Sequence, residues 1–169
     1  RIFYHPRILE AVARALGGPP RLVQSLVFER GSQQTMHDDT WYVRAEHMGR
    51  AGGLVGVWVA LESTDGENGP LFYVPGSHRR PERILTPEGK SRGERIRMPQ
   101  GVNTLMSFQD AELREAEEQA RRSGWAPRDF LARAGDVGIW HEHLLHGARR
   151  IRNMARTRLS LVSHYTYDA

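Results

Sequence analysis

The run LVGVWVALE at residues 54–62 decides the fold class of this chain. It is rich in β-branched residues and apolar at successive positions, which is typical of a strand buried on both faces. Loops that contain glycine and proline separate it from shorter apolar runs, and short strands at such close spacing favour a β-sandwich or barrel. The shorter runs predict strands at residues 22–29, 71–74, 102–108, 136–140, 143–148 and 158–167.

The segment that precedes this run predicts one helix and one strand. Residues 6–16 carry an apolar stripe at helical spacing, begin with proline and end at a pair of glycines. In the strand at 22–29, alternate side chains share a face. We therefore expect one face of that strand to carry Leu22, Gln24, Leu26 and Phe28.

Residues 79–134 differ in composition from the segments that form the sheet. The first part, 79–99, is polar and basic, and helices are predicted at 110–123 and 127–134. This stretch has too few large apolar residues for a core of its own. We therefore expect a single domain over residues 1–169, in which 79–134 is an insertion that covers the sheet as a helical lid.

Composition limits the classes of protein to which the chain can belong. Its 169 residues suffice for about one domain. It contains no cysteine, which excludes a disulfide scaffold, a thiolate metal site and a cysteine nucleophile. The lack of cysteine is also compatible with the reducing cytoplasm, which is the predicted location. The first residue is Arg1 rather than Met, which fits a chain that lacks an N-terminal part of its domain.

Charge and hydropathy exclude two kinds of partner. The net charge is +4, but the arginines are spread along the chain among 20 acidic residues, so nucleic acid is not an expected partner. No apolar run approaches the roughly 18 residues of a membrane span, so a membrane is not expected either. The expected partner is a small molecule, and the basic stretch at 79–97 suggests an anionic one. The sequence gives no oligomeric state.

The first segment that carries chemistry is TMHDDTW at residues 35–41. In an extended chain, positions i and i+2 point the same way. His37 and Asp39 would therefore project together and can hold one metal ion. The same short pattern also fits a solvated polar turn.

The second segment is IWHEHLLHG at residues 139–147, which holds three of the eight histidines. His141 and His143 would share a face of a strand, whereas His146 has the opposite parity. The residues alone do not choose among the three as metal ligands. A hydrogen-bonded structural role is the alternative for each of them.

A metal held by two histidines and one carboxylate keeps three coordination positions open. That arrangement suits Fe(II), which must also bind a cosubstrate and O₂. Zinc can bind the same three side chains and activate water, so the ligand set leaves both metals open. A third segment, NGPLFYVPGSH at residues 68–78, predicts tight turns into and out of a short strand, and His78 at its end is expected to be structural.

Taken in order, these segments resemble the phytanoyl-CoA dioxygenase family of Fe(II)- and 2-oxoglutarate-dependent oxygenases. The stretch at 68–78 is the most specific element; the H-x-D pair and the strand at 54–62 precede it, and GDVGIWH at 135–141 follows it. The resemblance runs from about Leu22 to Tyr165. It implies a mainly β protein with a double-stranded β-helix, a cupin-like jelly-roll barrel of two sheets, and flanking helices.

The resemblance also implies which side chains bind iron. The ligands would be His37, Asp39 and His146, the last of which belongs to the family's His-Gly pair. His141 would lie near the metal without binding it. Asp38 stands where the family commonly has glutamine, which does not remove a ligand.

Three further residues are implied as contacts of 2-oxoglutarate. Arg158 would bind the far carboxylate with two parallel donors, and Arg156 is the competing arginine. Trp58 would line the cosubstrate pocket, and Gln24 is a weaker candidate for a polar contact there. Ala148 replaces a serine that is common after the His-Gly pair.

The implied activity is hydroxylation of a C–H bond with O₂, in which 2-oxoglutarate is converted to succinate and CO₂. Related halogenases have a small residue in place of the carboxylate ligand, and this chain keeps Asp39. Two alternatives stay open. One is a metal-dependent hydrolase that uses the same three ligands, and the other is a non-enzymatic barrel that binds a small molecule.

Overall fold

The computed structural model describes residues 1–34, 36–41, 43, 53–79 and 126–167, together with the single positions 118, 122 and 124. The predicted strand at 102–108, almost all of the predicted helix at 110–123 and most of the lid at 79–134 lie outside these residues. The lid and the single-domain organisation therefore stay predictions.

The described part of the chain is mainly β, as predicted. It forms two antiparallel sheets, one with the strand order β1-β7-β2-β5 and the other with the order β4-β3-β6. Short 3₁₀ turns occupy Ile2–Tyr4, Asp39–Trp41 and Ser77–Arg79. The regular elements are α1 (Pro6–Leu16), β1 (Arg21–Phe28), β2 (Val55–Ala60), β3 (Leu71–Tyr73), β4 (Arg128–Phe130), β5 (Val137–His141), β6 (His146–Ala148) and β7 (Ser160–Thr166).

Helix α1 covers the outer face of the four-stranded sheet. Its N-terminus is capped by the His5 side chain, which accepts a hydrogen bond from the Arg7 amide, and it ends at Gly17, which has a φ of 76°. A buried stripe on the helix packs against alternate residues of β2 and β7. The members of this outer core are Ile8, Val12, Leu16, Val55, Val57, Val59, Leu161 and Tyr165.

The inner face of the same sheet contributes to a second core. Trp58 packs edge-on against Phe130 of β4, with ring centroids 5.7 Å apart. Ala60, Ala132 and Trp140 complete the buried part of this cluster. Since all six residues of β2 are buried, the prediction of a strand covered on both faces is confirmed.

Two local predictions are wrong. The helix predicted at 127–134 is not formed, because β4 pairs there with β3 and places Phe130 against Trp58. A three-residue strand is too short to show an alternating pattern in the sequence. The predicted shared face of β1 fails at Leu22, because an irregularity between Leu22 and Gln24 turns Leu22 towards the outer core.

The family resemblance implied closure of the two sheets into a double-stranded β-helix, and that closure stays a prediction. Among the residues that the structure describes, no helix combines the length and the apolar character needed to cross a membrane.

Candidate metal centre

Three side chains converge between the two sheets. The backbones of His37 and His146 form an isolated antiparallel bridge, with both N–H···O distances at 2.9 Å. Asp39 opens the 3₁₀ turn that follows. All three side chains are buried, and one potential ligand atom from each lies within 4.8 Å of the other two. The structure therefore brings together the three residues that the resemblance had implied as iron ligands.

Local sequence explains how these residues reach their positions. The carboxylate of Asp38 accepts a hydrogen bond from the Thr40 amide at 3.0 Å, which caps the turn that begins at Asp39. The extended conformation expected for both His37 and Asp39 therefore holds only at His37. After His146, a Cβ atom at Gly147 would lie 2.8 Å from the Phe72 ring, so only glycine fits there without displacement.

Asp39 has different partners on its two carboxylate oxygens. The indole N–H of Trp140 donates to Oδ2 at 2.7 Å, and the Nε2 atoms of His146 and His164 lie 3.4 and 3.3 Å from Oδ1. Burial by itself raises the pKa of Asp39, but the two imidazoles outweigh it and hold the pKa well below its usual value. The group is therefore a carboxylate at neutral pH, as a metal ligand must be.

The tautomer of His146 follows from its hydrogen bond. Its Nδ1 atom lies 2.8 Å from the carbonyl oxygen of Leu144, which can only accept a proton. The lone pair of neutral His146 is therefore on Nε2, the atom that faces Asp39. Fixing the tautomer through the second ring nitrogen is the usual arrangement of a metal-binding histidine.

A cavity of about 280 Å³ opens on this cluster. Both β1 and β7 contribute to its wall, and apolar side chains make up much of it. Gln24 and Trp58 line it, and their contact with a cosubstrate stays a prediction. The other lining residues are Leu26, Phe28, Ser32, Gln34, His37, Asp39, Val43, Leu71, Trp140, His146, Gly147, Arg158, Val162 and His164.

Arg158 is the buried cation of this cavity. One guanidinium nitrogen donates to the carbonyl of Gly69 at 2.6 Å, and the guanidinium carbon lies 5.6 Å from the centre of the Trp58 ring. Nε has no hydrogen-bond partner, and no carboxylate of the described residues pairs with this side chain. Burial lowers the pKa of Arg158 to about 10, so the side chain still carries its charge at neutral pH.

Arg156, the competing arginine, lies elsewhere. Its guanidinium contacts both carboxylate oxygens of Asp65, at 2.9 and 2.7 Å, and both side chains are about half exposed. It does not line the cavity. Of the two arginines, Arg158 is the one that lines the same cavity as the metal-binding cluster.

The other histidines of the IWHEHLLHG segment lie outside the cavity. The ring centroid of His141 is 5.8 Å from that of His78 and 5.0 Å from that of His143. His143 contacts the buried carboxylate of Glu142 at 2.9 Å. None of these side chains is grouped with the three potential ligands.

Sequence reasoning missed two residues of the site, Trp140 and His164. The signal for Trp140 is Gly56, its cross-strand partner on β2. A Cβ atom at Gly56 would lie only 2.4 Å from the indole, so a glycine inside a buried strand marks the close approach of a ring. His164 shares the face of β7 that carries Val162, but nothing in the sequence alone fixes which face that is.

The sequence model of the family described as "Phytanoyl-CoA dioxygenase (PhyH)" matches residues 1–159. The chain belongs to the phytanoyl-CoA dioxygenase family. The resemblance noted from the sequence is thereby confirmed, and the metal-binding cluster, the cavity and Arg158 are features of a phytanoyl-CoA dioxygenase family domain.

Curated relatives in this family are considerably longer than the chain. It is 35% identical over 154 residues to phytanoyl-CoA dioxygenase domain-containing protein 1 of Mus musculus, which covers 86% of the chain and 45% of that protein. It is 37% identical over 83 residues to the protein of the same name from Bos taurus, over 46% of the chain and 28% of that protein. The chain thus spans less than half the length of these relatives.

Solved structures of non-haem enzymes share the fold. The carbocyclase SnoK, described as α-ketoglutarate-dependent, matches with a TM-score of 0.65 and 21% identity over 96% of the chain and 55% of its own. The non-haem monooxygenase ThoJ matches with a TM-score of 0.60 and 25% identity over 98% of the chain and 54% of its own. The epimerase SnoN, solved with Fe³⁺ and α-ketoglutarate, matches with a TM-score of 0.61 and 22% identity over 98% and 57%.

Proposed function

We propose that this phytanoyl-CoA dioxygenase family domain is an Fe(II)- and 2-oxoglutarate-dependent dioxygenase that hydroxylates a C–H bond of a small-molecule substrate. The observation that carries the proposal is that one cavity holds both the His37–Asp39–His146 cluster and the buried guanidinium of Arg158. A metal alone would not require the arginine, and an anion-binding pocket alone would not require the three ligands.

The donor set fits an Fe(II) ion. Two imidazoles and one carboxylate are a common ligand set for non-haem iron that must keep positions open. Asp39 is ionised, and the hydrogen bond from Nδ1 of neutral His146 to the Leu144 carbonyl leaves the lone pair of Nε2 for a metal. Burial alone would lower the pKa of His146, but the nearby Asp39 carboxylate raises it, so a metal at Nε2 would compete with a proton. Iron bound by these residues would supply the activation of O₂ that an organic side chain cannot provide.

Arg158 fits the far carboxylate of 2-oxoglutarate. Its Nε–H is buried and has no acceptor, and a carboxylate that enters the cavity would supply one. A guanidinium can present two parallel donors to such a group. The Gly69 carbonyl holds one of its other nitrogens and so orients the guanidinium before the cosubstrate binds.

The remaining wall of the cavity orients the ligands and excludes water. Trp58 lies against the guanidinium, whereas Leu26, Phe28 and Val162 contribute apolar surface. Gln24 is the proposed polar contact on β1. Exclusion of water strengthens the ion pair between Arg158 and a bound carboxylate, because the local dielectric constant is lower.

The substrate class, the cellular location and the type of reaction are proposed from the sequence alone. The substrate is a small molecule, and the basic stretch at 79–97, outside the described residues, is a candidate for contacting an anionic group. The protein acts in the cytoplasm, for which a chain free of cysteine is suited. Hydroxylation is preferred to halogenation because a carboxylate ligand is present at Asp39.

The test combines metal titration with a succinate assay on the purified chain. Removal of any ligand in His37→Ala, Asp39→Ala or His146→Ala should abolish tight Fe(II) binding and the release of succinate. His143→Ala is the matched control from the same segment, because His143 is not in the cavity, and it should keep iron bound.

Two outcomes would contradict parts of the proposal. Loss of iron in His143→Ala with retention in His146→Ala would overturn the choice of the distal ligand. Iron-loaded wild-type protein that neither binds nor decarboxylates 2-oxoglutarate would favour a hydrolase or a binding barrel instead.

A further inference from the structure

His164 is a buried histidine of the cavity to which the proposed ligand set gives no role. It lies on β7, is 5% exposed and lines the cavity. Nδ1 has no hydrogen-bond partner among the described residues, and Nε2 has only the Asp39 carboxylate nearby, at 3.3 Å and without hydrogen-bond geometry. A buried polar group without a partner costs free energy. An imidazole held in this way beside an open cavity therefore indicates a partner that enters through the cavity.

His164 lies close to the proposed metal ligands. Its Nε2 atom lies 3.3 Å from Oδ1 of Asp39, although the two groups are not aligned for a hydrogen bond. His164 is therefore at the metal-binding end. Arg158 lies six residues earlier, in the segment that leads into β7, and both side chains line the cavity.

His164 does not behave as a fourth metal ligand. The group of side chains whose potential ligand atoms all lie within 4.8 Å of one another contains His37, Asp39 and His146 but not His164. The indole of Trp140 already donates to the second oxygen of Asp39, so the carboxylate does not depend on His164 for orientation. The remaining role for the imidazole is to bind a ligand that enters the cavity.

We propose that His164 binds the 2-oxo acid end of 2-oxoglutarate by donating a hydrogen bond from Nε2, while Arg158 binds the far carboxylate. The inference rests on the proposed function, since it concerns the same cosubstrate. It adds a second anchor at the opposite end of the molecule. A dicarboxylate of this length would then be recognised at both ends, which explains why a buried imidazole and a buried guanidinium share one wall.

The test measures the affinity of the metal-loaded chain for 2-oxoglutarate by calorimetry without O₂, together with the affinity for the metal itself. His164→Phe keeps a ring and removes the donor, and His164→Gln restores a donor near the position of Nε2. Loss of a hydrogen bond to a charged group should weaken 2-oxoglutarate binding about 10- to 100-fold in His164→Phe. His164→Gln should recover most of the affinity, and both variants should bind the metal as the wild type does.

Controls separate this inference from a general structural role. His78→Phe changes a histidine outside the cavity and should leave both affinities unchanged. The effects of His164→Phe and Arg158→Ala on 2-oxoglutarate binding should add in the double variant, because the two side chains contact different ends. If His164→Phe does not fold, His164→Leu repeats the measurement with a smaller side chain.

The outcomes are distinguishable from failure of the proposed function. If the wild type binds 2-oxoglutarate and His164→Phe binds it equally well, this inference is wrong and the dioxygenase proposal stands. If His164→Phe loses metal affinity instead, His164 supports Asp39 and is not a cosubstrate anchor. If the wild type itself does not bind 2-oxoglutarate, both proposals fail.

Discussion

At the scale of single residues, the two carboxylate oxygens of Asp39 have different surroundings. Oδ2 accepts the hydrogen bond from Trp140, and Oδ1 is the oxygen closest to His146. A carboxylate fixed in this way is suited to bind a metal through one oxygen only. Together with two imidazoles, it would hold an iron ion and leave coordination positions for ligands from the cavity.

Trp140→Phe tests that arrangement. The variant keeps an aromatic ring opposite Gly56 and removes the N–H that holds Oδ2. Loss of a hydrogen bond that orients a metal ligand should weaken Fe(II) binding about 10- to 100-fold. Anaerobic metal titration measures this effect, and thermal unfolding of the metal-free protein shows whether the fold is retained. Unchanged iron affinity in a folded variant would show that Asp39 needs no such support.

Arg158→Ala tests the buried cation of the cavity. Loss of a buried, hydrogen-bonded partner of a carboxylate should cost about 2–5 kcal/mol, or about 30-fold to several-thousand-fold in affinity for 2-oxoglutarate. Fe(II) binding should stay near the wild-type value, because Arg158 does not belong to the ligand cluster. Arg158→Lys keeps the charge without the planar fork and should fall between. The readout is succinate formation against 2-oxoglutarate concentration.

Arg156→Ala is the matched control for this prediction. Arg156 pairs with Asp65 at the surface, so its removal should have a mild effect on the apparent KM for 2-oxoglutarate. A large increase in the apparent KM for 2-oxoglutarate in Arg156→Ala would show that the wrong arginine was chosen. The proposed reaction class would still stand.

The pair His37 and Asp39 was predictable from a local signal, whereas the residues alone left the second histidine open and only the family resemblance pointed to His146 as the third proposed ligand. The pair His37 and Asp39 is separated by one residue, and His146 is followed by a glycine that the packing of Phe72 requires. Trp140 and His164 could not be predicted in the same way. Their contacts with Asp39 depend on strand register and on a residue more than a hundred positions away in the chain.

At the scale of elements, agreement between prediction and structure follows the length of the periodic signal. Helix α1 spans Pro6–Leu16, as predicted, because eleven residues give three turns of a clear apolar stripe. β4 has only three residues and was predicted as a helix. The irregularity in β1 was invisible in the sequence, since no glycine or proline marks it, yet it decides that Gln24 lines the cavity and Leu22 does not.

Val12→Ala tests how much α1 contributes to the sheet on which the site is built. Val12 is fully buried between the helix and the outer face of the sheet. Removal of two methyl groups without refilling the space should lower the free energy of unfolding by about 2 kcal/mol. Urea denaturation measures the change. Arg14→Ala is the control on the same helix, because Arg14 forms only an exposed pair with Glu10, and it should change stability little.

At the scale of the whole molecule, one buried loop residue connects two segments that are far apart in the sequence. The side-chain amide of Asn68 donates to the carbonyls of Ser63 and Thr157, at 3.0 and 3.2 Å, and its oxygen accepts from the Asp65 amide at 3.0 Å. The next residue, Gly69, provides the carbonyl that receives the Arg158 guanidinium. The loop before β3 is thereby attached to the segment that enters β7.

Asn68→Ala should therefore affect both stability and cosubstrate binding. It leaves two backbone carbonyls and one amide without their partner, which should cost about 1–3 kcal/mol of unfolding free energy. Since the Gly69 carbonyl would no longer be fixed, the affinity for 2-oxoglutarate should fall while iron still binds. Denaturation and calorimetry measure the two effects, and Asn153→Ala in an exposed turn is the control. A stability loss with unchanged 2-oxoglutarate affinity would show that Arg158 is positioned by other contacts.

The strand order of the two sheets was not predictable from the pattern of single strands. Strand β7 at the end of the chain lies between β1 and β2, and this follows from long-range pairing that no local signal encodes. The mainly β class was predictable because β2 is apolar at successive positions. The more detailed architecture came from the family resemblance, whose most specific stretch includes the structurally central Asn68 and Gly69.

The bridge between His37 and His146 also has a consequence for the order in which the protein is made. These two residues are 109 positions apart in the chain. At the usual 5–20 residues per second, a ribosome completes His146 about 5 to 20 seconds after His37. During that interval the nascent chain carries two of the three proposed ligands without the third, so the proposed iron site would be incomplete. Iron bound at this site would therefore be acquired late, after β6 has been synthesised and paired.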